Sequence, residues 1–318
     1  MNPVEFKKIQ GLKISQITLG TVQLGLDYGI ANSTGKPSFE NALEILSLAT
    51  ECGINVFDTA PAYGNSENII GSYISSLPPK TRRPIVVTKI PEIKCDEDST
   101  SESIYEEMES SVLRSIDNLH LESIPICLLH NAANLTLYNG KVIESLAKLK
   151  ENGLVDKIGV SIYSPDDVRA FLQYDYLDVI QVPFNIFDQR LIREELLQEL
   201  NKRNTIIFAR SIFLQGLFFI DHKSVPPHVK KARKFLQDLR TLSEESGIEI
   251  NRLAFSYARD RPEITSLVLG VETIEQLRDN LSLLNYPPLS SDVTSKIEEC
   301  FANVPEEIVN PSKWLNES

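Results

Sequence analysis

Short runs of consecutive apolar residues alternate along the chain with longer segments in which apolar residues recur every three or four positions. The short runs predict eight β-strands, at 14–21, 54–60, 85–90, 124–130, 157–162, 179–184, 206–212 and 266–271. Because these runs are apolar on successive positions, we expect both faces of each strand to be buried. A parallel sheet covered by helices buries its strands in this way.

The longer segments carry the spacing and the end signals of α-helices. Helical spacing of apolar residues is evident over 39–49, 142–149 and 192–200. Ser38 is placed to cap the first of these helices, and Gly53 follows its last turn, where a left-handed residue is expected. The chain therefore alternates between predicted strands and predicted helices.

Eight strands, each followed by a helix, in 318 residues predict an α/β fold with a closed (β/α)₈ barrel (TIM barrel) that forms a single domain over 1–318. A doubly wound open sheet is the alternative, but no GxGxxG follows the first strand. We expect the first 12 residues, with Gly11 at the turn, to form a hairpin across the barrel floor. The last residues are expected to form a C-terminal tail with Trp314 that either folds over the pocket or, as we favour, lies on the barrel wall. The segment 213–227 is either a functional loop or packing on the barrel rim.

Composition and charge narrow the class of protein. Hydrophobic residues make up 42% of the chain and charged residues 24%, as in folded globular proteins. A formal charge of −12 makes a nucleic-acid partner unexpected. The N-terminus lacks the apolar core of a signal peptide, and no apolar run is long enough to span a membrane, so the sequence predicts a cytoplasmic protein without a membrane partner. The cysteines and histidines show no metal-ligand spacing, and no metal is expected.

Four polar residues occupy the positions where a barrel carries its chemistry, the carboxyl ends of the strands. Asp58, Lys89 and His130 stand at the ends of the second, third and fourth predicted strands, and Tyr63 lies in the loop after the second. Each has an ordinary structural explanation, such as a buried ion pair or a packed tyrosine. Four together at one rim indicate a reactive site.

Proton delivery to a carbonyl oxygen is the chemistry that suits this set. A free phenol has a pKa of about 10, and a cation beside it lowers that value. Lys89 is expected to lower the pKa of Tyr63, with Asp58 holding Lys89 in place, and His130 can donate a hydrogen bond to the developing oxyanion. Since no flavin or metal signature is present, the hydride is expected from a nicotinamide.

The segments "GINVFDTAPAYGNSE", "TKI" and "LLHN" resemble those of the aldo-keto reductases, and the resemblance extends from "ITLGT" to "VETIEQLRDNL". It implies a (β/α)₈ barrel whose catalytic tetrad is Asp58, Tyr63, Lys89 and His130. The activity implied is NAD(P)H-dependent reduction of an aldehyde, ketone or sugar-like carbonyl, or the reverse oxidation. The alternative is a nicotinamide-binding regulatory or redox-sensing subunit with slow turnover.

The resemblance also implies contacts with the coenzyme, from Gly20, Thr21, Ser161, Gln181, Arg210, Ser211, Leu214, Gly216, Gly270, Glu272, Gln276 and Asn280. Arg210 stands where many relatives have a tyrosine that stacks on the nicotinamide. NADP(H) is the coenzyme that the family resemblance favours. Glu272 stands near where NADPH-dependent relatives carry a basic residue, which leaves NAD(H) as the rival.

The substrate is a small carbonyl compound or sugar, for which the loops after strands one and four offer Tyr28 and Asn131. A mixture of polar and aromatic side chains suits a hydroxylated substrate, although residues such as Tyr28 could simply cover the barrel mouth.

Overall fold

Eight parallel strands close into a barrel in a computed structural model of the chain, which describes residues 4–32, 34–93 and 99–316. A hairpin of β1 (Phe6–Ile9) and β2 (Leu12–Ser15) precedes them. The barrel strands are β3 (Ile17–Gly20), β4 (Val56–Asp58), β5 (Ile85–Ile90), β6 (Ile124–Leu129), β7 (Val155–Ser161), β8 (Val179–Pro183), β9 (Ile206–Arg210) and β10 (Ser266–Gly270). Each pairs in parallel with the next, and β10 pairs with β3. The predicted (β/α)₈ barrel is confirmed.

Helices surround the barrel and connect its strands. They are α1 (Val22–Gly25), α2 (Phe39–Glu51), α3 (Ser66–Ser76), α4 (Ser101–Leu119), α5 (Lys141–Glu151), α6 (Pro165–Phe171), α7 (Arg190–Arg193), α8 (Leu196–Lys202), α9 (Arg233–Ser246), α10 (Ile250–Arg259), α11 (Ile274–Ser282), α12 (Ser291–Cys300) and α13 (Glu306–Val309). The Ser38 side chain caps α2 by accepting from the amide of Asn41, and Gly53 has a φ of +95°. Both helix-end signals are confirmed.

Two predicted elements differ from the observed ones. The run 14–21 was expected to be one strand, but its first residues belong to β2 of the hairpin and only Ile17–Gly20 joins the barrel. The segment 192–200 was expected to be one helix, and it is two, α7 and α8. Glu195 separates them with a φ of +56°, a left-handed conformation that ends one helix and redirects the next.

The hairpin lies across the amino-terminal end of the barrel. Ile9 and Ile14 belong to the same apolar cluster as the barrel residues Val56, Ile126 and Phe208. Polar contacts tie it down as well: the Gln10 side-chain amide donates to the carbonyl oxygens of Asp178 and Asn204, which precede β8 and β9. Because this end is closed by apolar packing, the opposite end is left for polar side chains.

The tail after α12 packs on the outside of the barrel. Trp314 is 5% exposed and its indole Nε1 donates to the carbonyl oxygen of Ile308 in α13. Among the described residues, no helix is long and apolar enough to cross a membrane.

Candidate active site

Four polar side chains meet at the carboxyl ends of β4, β5 and β6. Lys89 Nζ donates to Asp58 Oδ1 at 2.8 Å and to the carbonyl oxygen of Thr59 at 2.9 Å. Lys89 Nζ also lies 4.9 Å from the centroid of the Tyr63 ring, so the ammonium and the phenol are neighbours. An ammonium has three N–H donors, and these two acceptors use two of them. The His130 ring stands edge-on to the Tyr63 ring, with 5.9 Å between their centroids and 83° between their planes.

A close backbone contact positions Tyr63. A Cβ on Gly25, at the end of α1, would lie 1.7 Å from the carbonyl oxygen of Tyr63. Only a residue without a side chain can fit there. Gly64, the residue after Tyr63, has a φ of +60°, and a Cβ there would lie 2.5 Å from the carbonyl oxygen of Gly25. The short first helix is therefore packed directly on the turn that carries the phenol.

Burial sets the protonation of this group of side chains. Burial alone would lower the pKa of Lys89, but the interactions with Asp58 and Tyr63 outweigh this effect, so the pKa of Lys89 is raised. Burial also raises the pKa of Tyr63, and the nearby ammonium of Lys89 offsets only part of that rise. Lys89 thus lowers the pKa of Tyr63 as expected, but loss of hydration is the larger effect on the phenol, so its pKa lies above the usual value.

His130 is held in its neutral form. Burial, reinforced by the positive charges of Lys89 and Arg210, lowers the pKa of the imidazole to about 3. A neutral imidazole keeps one N–H, which can donate a hydrogen bond to a substrate oxygen without giving up a proton at neutral pH.

A second hydrogen-bonded chain extends from Asp58 across the barrel. The Gln181 side-chain amide on β8 donates to Asp58 Oδ1 at 2.7 Å, and its oxygen accepts from the Ser161 hydroxyl at 3.3 Å. Gln181 and Ser161 are 1% and 3% exposed. Residues at the ends of β7 and β8 are in this way connected to the Asp58–Lys89 pair.

Arg210, at the end of β9, lies over the same region. Its Nη2 donates to the carbonyl oxygen of Ile162 at 2.8 Å, and its Nη1 donates to the Ser211 hydroxyl at 3.3 Å. The guanidinium carbon lies 4.3 Å from the centroid of the Tyr163 ring. The side chain therefore runs from β9 past β8 to the end of β7.

These groups line one end of a cavity of about 650 Å³. Its reacting end is formed by Tyr28, Asp58, Tyr63, His130, Ser161, Tyr163, Gln181 and Arg210. Its far end is formed by Gly270, Glu272, Gln276, Asp279 and Asn280. Between them lie Gly20, Thr21, Val22, Gln23, Ser211 and Gly216, among others. The volume lies in the range of cavities that bind small molecules.

Two loops meet above this cavity. The Gln215 side-chain amide donates to the Tyr28 hydroxyl at 2.7 Å, and the amide of Ile30 donates to the Gln215 carbonyl oxygen at 3.1 Å. Gly216, with a φ of +87°, approaches Ala31 so closely that a Cβ would lie 2.6 Å from the Ala31 Cβ. The sequence left open whether the segment 213–227 is a functional loop or packing on the barrel rim. The structure has features of both, since Gln215 lines the cavity and Leu217 is buried in the core.

The far end of the cavity is acidic. Glu272 and Asp279 both line it, and among the described lining residues no lysine or arginine joins them there. Two backbone amides near Thr273 already have hydrogen-bond acceptors within the protein. The Glu272 amide donates to Gln276 Oε1, and the Gln276 amide donates to the Thr273 hydroxyl. Lys36 lies beside this end, with Glu272, in a separate cavity of about 420 Å³, and its Nζ donates to Asn65 Oδ1 at 3.3 Å.

Two residues named from the sequence do not line the cavity. Asn131 accepts a hydrogen bond from the amide of Ala133 and caps the 3₁₀ turn Ala132–Leu135, so its side chain serves the loop. Leu214 is fully buried, and its amide donates to the Ser211 carbonyl oxygen. Neither residue is therefore placed beside this cavity, and the ligand contacts expected of them stay predictions. Thr21 does line the cavity, with its hydroxyl donating to the Asp58 carbonyl oxygen.

The sequence interpretation missed Gln23 and Tyr163. Gln23 follows the end of β3, lines the cavity and has a buried Oε1 without a hydrogen-bond partner. Nothing in the local sequence distinguishes it from a helix residue. Tyr163 could have been found, because it lies two positions after Ser161 and alternation along an extended chain places both on one side. Among the described residues, no cluster of three or more His, Cys, Asp or Glu could hold a metal.

Comparisons with known proteins agree with this geometry. The profile of the Aldo/keto reductase family matches residues 16–302. The chain is 26% identical over 313 residues to the NADH-specific methylglyoxal reductase of Escherichia coli (strain K12), covering 89% of this chain and 94% of that protein. It is 25% identical over 304 residues to the L-galactose dehydrogenase of Arabidopsis thaliana, covering 89% and 88%.

The fold is also that of a solved structure. The holo form of the aldo-keto reductase AKR11C1 from Bacillus halodurans superposes with a TM-score of 0.74, at 19% sequence identity. The superposition covers 96% of this chain and 100% of that one. At this identity the comparison establishes the shared barrel.

Proposed function

The chain belongs to the Aldo/keto reductase family, and on that premise we propose that it reduces the carbonyl group of a small aldehyde, ketone or sugar-like substrate with a nicotinamide coenzyme, or catalyses the reverse oxidation. The observation that carries this proposal is the hydrogen-bonded group at the reacting end of the cavity. There the Lys89 ammonium is bound to the Asp58 carboxylate and lies 4.9 Å from the centroid of the Tyr63 ring.

Tyr63 is the proposed general acid. Its raised pKa keeps the phenol protonated at neutral pH, so that it can donate its proton to the carbonyl oxygen. Lys89 stays charged and stabilises the phenolate that proton transfer leaves behind, and Asp58 holds Lys89 in position. His130, as the neutral imidazole, donates a hydrogen bond to the same substrate oxygen and orients it.

The cavity fits a nicotinamide coenzyme, which when bound supplies a hydride to the carbonyl carbon. Gln23 lines the cavity beside Gly270, and its buried Oε1 has no hydrogen-bond partner; this supports a ligand there, because such an atom is costly unless a donor reaches it. Ser161 and Gln181 would hold the carboxamide of the nicotinamide. The remaining proposed contacts follow the cavity outwards, through Gly20, Thr21, Gln23, Ser211, Gly216, Gly270, Glu272, Gln276 and Asn280.

NAD(H) is the proposed coenzyme, although the family resemblance by itself favours NADP(H). The carboxylates of Glu272 and Asp279 line the end where the adenosine would lie. They would repel a 2′-phosphate, whereas a carboxylate accepts hydrogen bonds from ribose hydroxyls. The similar protein from Escherichia coli is an NADH-specific methylglyoxal reductase, which supports the same choice.

Single-turnover kinetics test the proposal. The protein is loaded with NADH and mixed with a panel of small aldehydes, ketones and aldoses, and the absorbance of the reduced coenzyme is followed. We expect rapid oxidation of one equivalent of bound NADH by at least one class of carbonyl compound. If the coenzyme binds but no member of the panel oxidises it, carbonyl reduction is not the function of this cavity.

A further inference from the structure

The charges at the reacting end of the cavity do not cancel. Asp58 and Lys89 form an ion pair 2.8 Å long and neutralise each other. Tyr63 and His130 are uncharged at neutral pH, as their surroundings raise the pKa of the first and lower that of the second. The positive charge of Arg210 remains, although the whole chain carries a formal charge of −12.

Arg210 has no anionic partner among the described residues. Its hydrogen-bond acceptors are the Ile162 carbonyl oxygen and the Ser211 hydroxyl, and it faces the Tyr163 ring. No described carboxylate lies within ion-pair distance of it. Of the acidic residues that line the cavity, Asp58 is paired with Lys89, and Glu272 and Asp279 follow β10, whereas the Arg210 side chain runs the other way, towards β7.

A half-buried guanidinium without a counter-ion is a recognition group for an anion. Two of its five N–H donors are used by neutral oxygens, and the planar fork of the others matches a carboxylate. The charge also reaches the reacting groups, since Arg210 interacts electrostatically with Tyr28, Tyr63 and His130. An anion held by Arg210 would therefore lie beside the carbonyl that these residues contact.

We propose that the substrate is an aldehyde or ketone that carries a carboxylate, bound by Arg210. This proposal rests on the proposed carbonyl reduction and names its substrate class. One guanidinium neutralises one charge, which suits a carboxylate better than a doubly charged phosphate. The reaction stays balanced: the carbonyl carbon gains a hydride, its oxygen gains the Tyr63 proton, the coenzyme is oxidised, and the carboxylate is unchanged.

A pair of substrates of similar shape tests the proposal in the intact protein with saturating NADH. 4-Formylbenzoate carries the charge, and methyl 4-formylbenzoate does not. We expect kcat/KM to be about 10-fold or more higher for the acid, as for a hydrogen bond to a charged group. Arg210→Gln should remove this preference and Arg210→Lys should keep part of it. Arg83→Gln, which removes an exposed charge in the loop before β5, should leave it unchanged.

Binding without turnover separates this proposal from the proposed function. Benzoate is titrated calorimetrically into the protein–NADH complex, for the wild type and for Arg210→Gln. Benzoate binding that the variant loses, in a protein whose NADH is oxidised neither by these aldehydes nor by any member of the carbonyl panel, would support the anion site and reject carbonyl reduction. Reduction of both aldehydes at equal kcat/KM, with no benzoate binding to the wild type, would overturn the anion proposal and leave the reductase standing. A preference that survives in Arg210→Gln would also overturn it.

Discussion

The Gln181 side-chain amide donates a hydrogen bond of 2.7 Å to Asp58 Oδ1, the same oxygen that receives the Lys89 ammonium. A glutamine proposed to contact the coenzyme therefore also holds the Asp58 carboxylate. Because both residues are buried, the bond is protected from competition with water. Gln181 thus connects the place proposed for the nicotinamide with the group that positions Lys89.

Replacing Gln181 should affect the protein even without coenzyme. Gln181→Met is expected to lower the free energy of unfolding of the coenzyme-free protein by about 1–3 kcal/mol, because a buried carboxylate loses a donor. Urea denaturation measures this. Ser161→Ala, which removes only a 3.3 Å bond to Gln181, serves as the matched control and should cost less. Equal losses in the two variants would contradict a special role for the bond to Asp58.

Removing the phenol should abolish proton transfer and spare the fold. Tyr63→Phe is expected to slow carbonyl reduction by about 10²–10⁴-fold, the usual contribution of a general acid, with the dissociation constant for NADH nearly unchanged. Stopped-flow absorbance gives the rate, and fluorescence titration gives the affinity. Tyr105→Phe, on the outer helix α4 where the hydroxyl contacts Glu109, is the control. A Tyr63→Phe protein that keeps most of its rate would refute the assignment.

Gly25 should tolerate no side chain, because a Cβ there would lie 1.7 Å from the Tyr63 carbonyl oxygen. Gly25→Ala is expected to lower the free energy of unfolding by about 1–3 kcal/mol and to lower kcat, since the turn that carries the phenol must move. Gly247→Ala is the comparison. It introduces backbone strain at a φ of +66° far from steric neighbours, so stability should fall while kcat stays unchanged. Unchanged kcat in Gly25→Ala would show that the contact does not position Tyr63.

The choice between NADH and NADPH should depend on Glu272. Glu272→Gln is expected to improve NADPH binding relative to NADH by about 10-fold, because a like charge facing the 2′-phosphate is removed. Dissociation constants from quenching of protein fluorescence provide the ratio. Lys36→Ala tests the opposite assignment, since Lys36 lies in the adjoining cavity beside Glu272. Tight NADPH binding by the wild type that Lys36→Ala abolishes would show that Lys36, and not Glu272, decides the preference.

His130 should make the fold sensitive to acid. Its pKa lies at about 3 in the folded protein, below the ordinary value of 6.5 that it regains on unfolding. Between these values the unfolded chain binds a proton that the folded protein does not, so the free energy of unfolding falls as pH drops through this range. Urea denaturation at several pH values should show a shallower acid loss for His130→Gln than for the wild type. Parallel curves would mean that the imidazole titrates normally.

The strands, the barrel and the four residues of the reacting group follow from local sequence patterns. Buried parallel strands are apolar on successive positions, and their polar ends are visible as an abrupt change, such as Phe57 followed by Asp58. In a parallel barrel all these ends face one way, so the positions of Asp58, Lys89 and His130 in the sequence place them at one rim. Closure of the barrel does not change this placement.

The tertiary structure decided everything that depends on what surrounds a residue. The depth of burial, which no single segment determines, reversed the expected shift in the pKa of Tyr63. Loops distant in the chain decided that Gln23 lines the cavity, that Asn131 does not, and that Gln215 meets Tyr28. Only the tertiary structure shows that Arg210 has no anionic partner among the described residues, because this depends on which side chains the fold brings near it. Local patterns determine the elements and the direction in which they point, whereas desolvation and long-range contacts exist only once the chain has closed on itself.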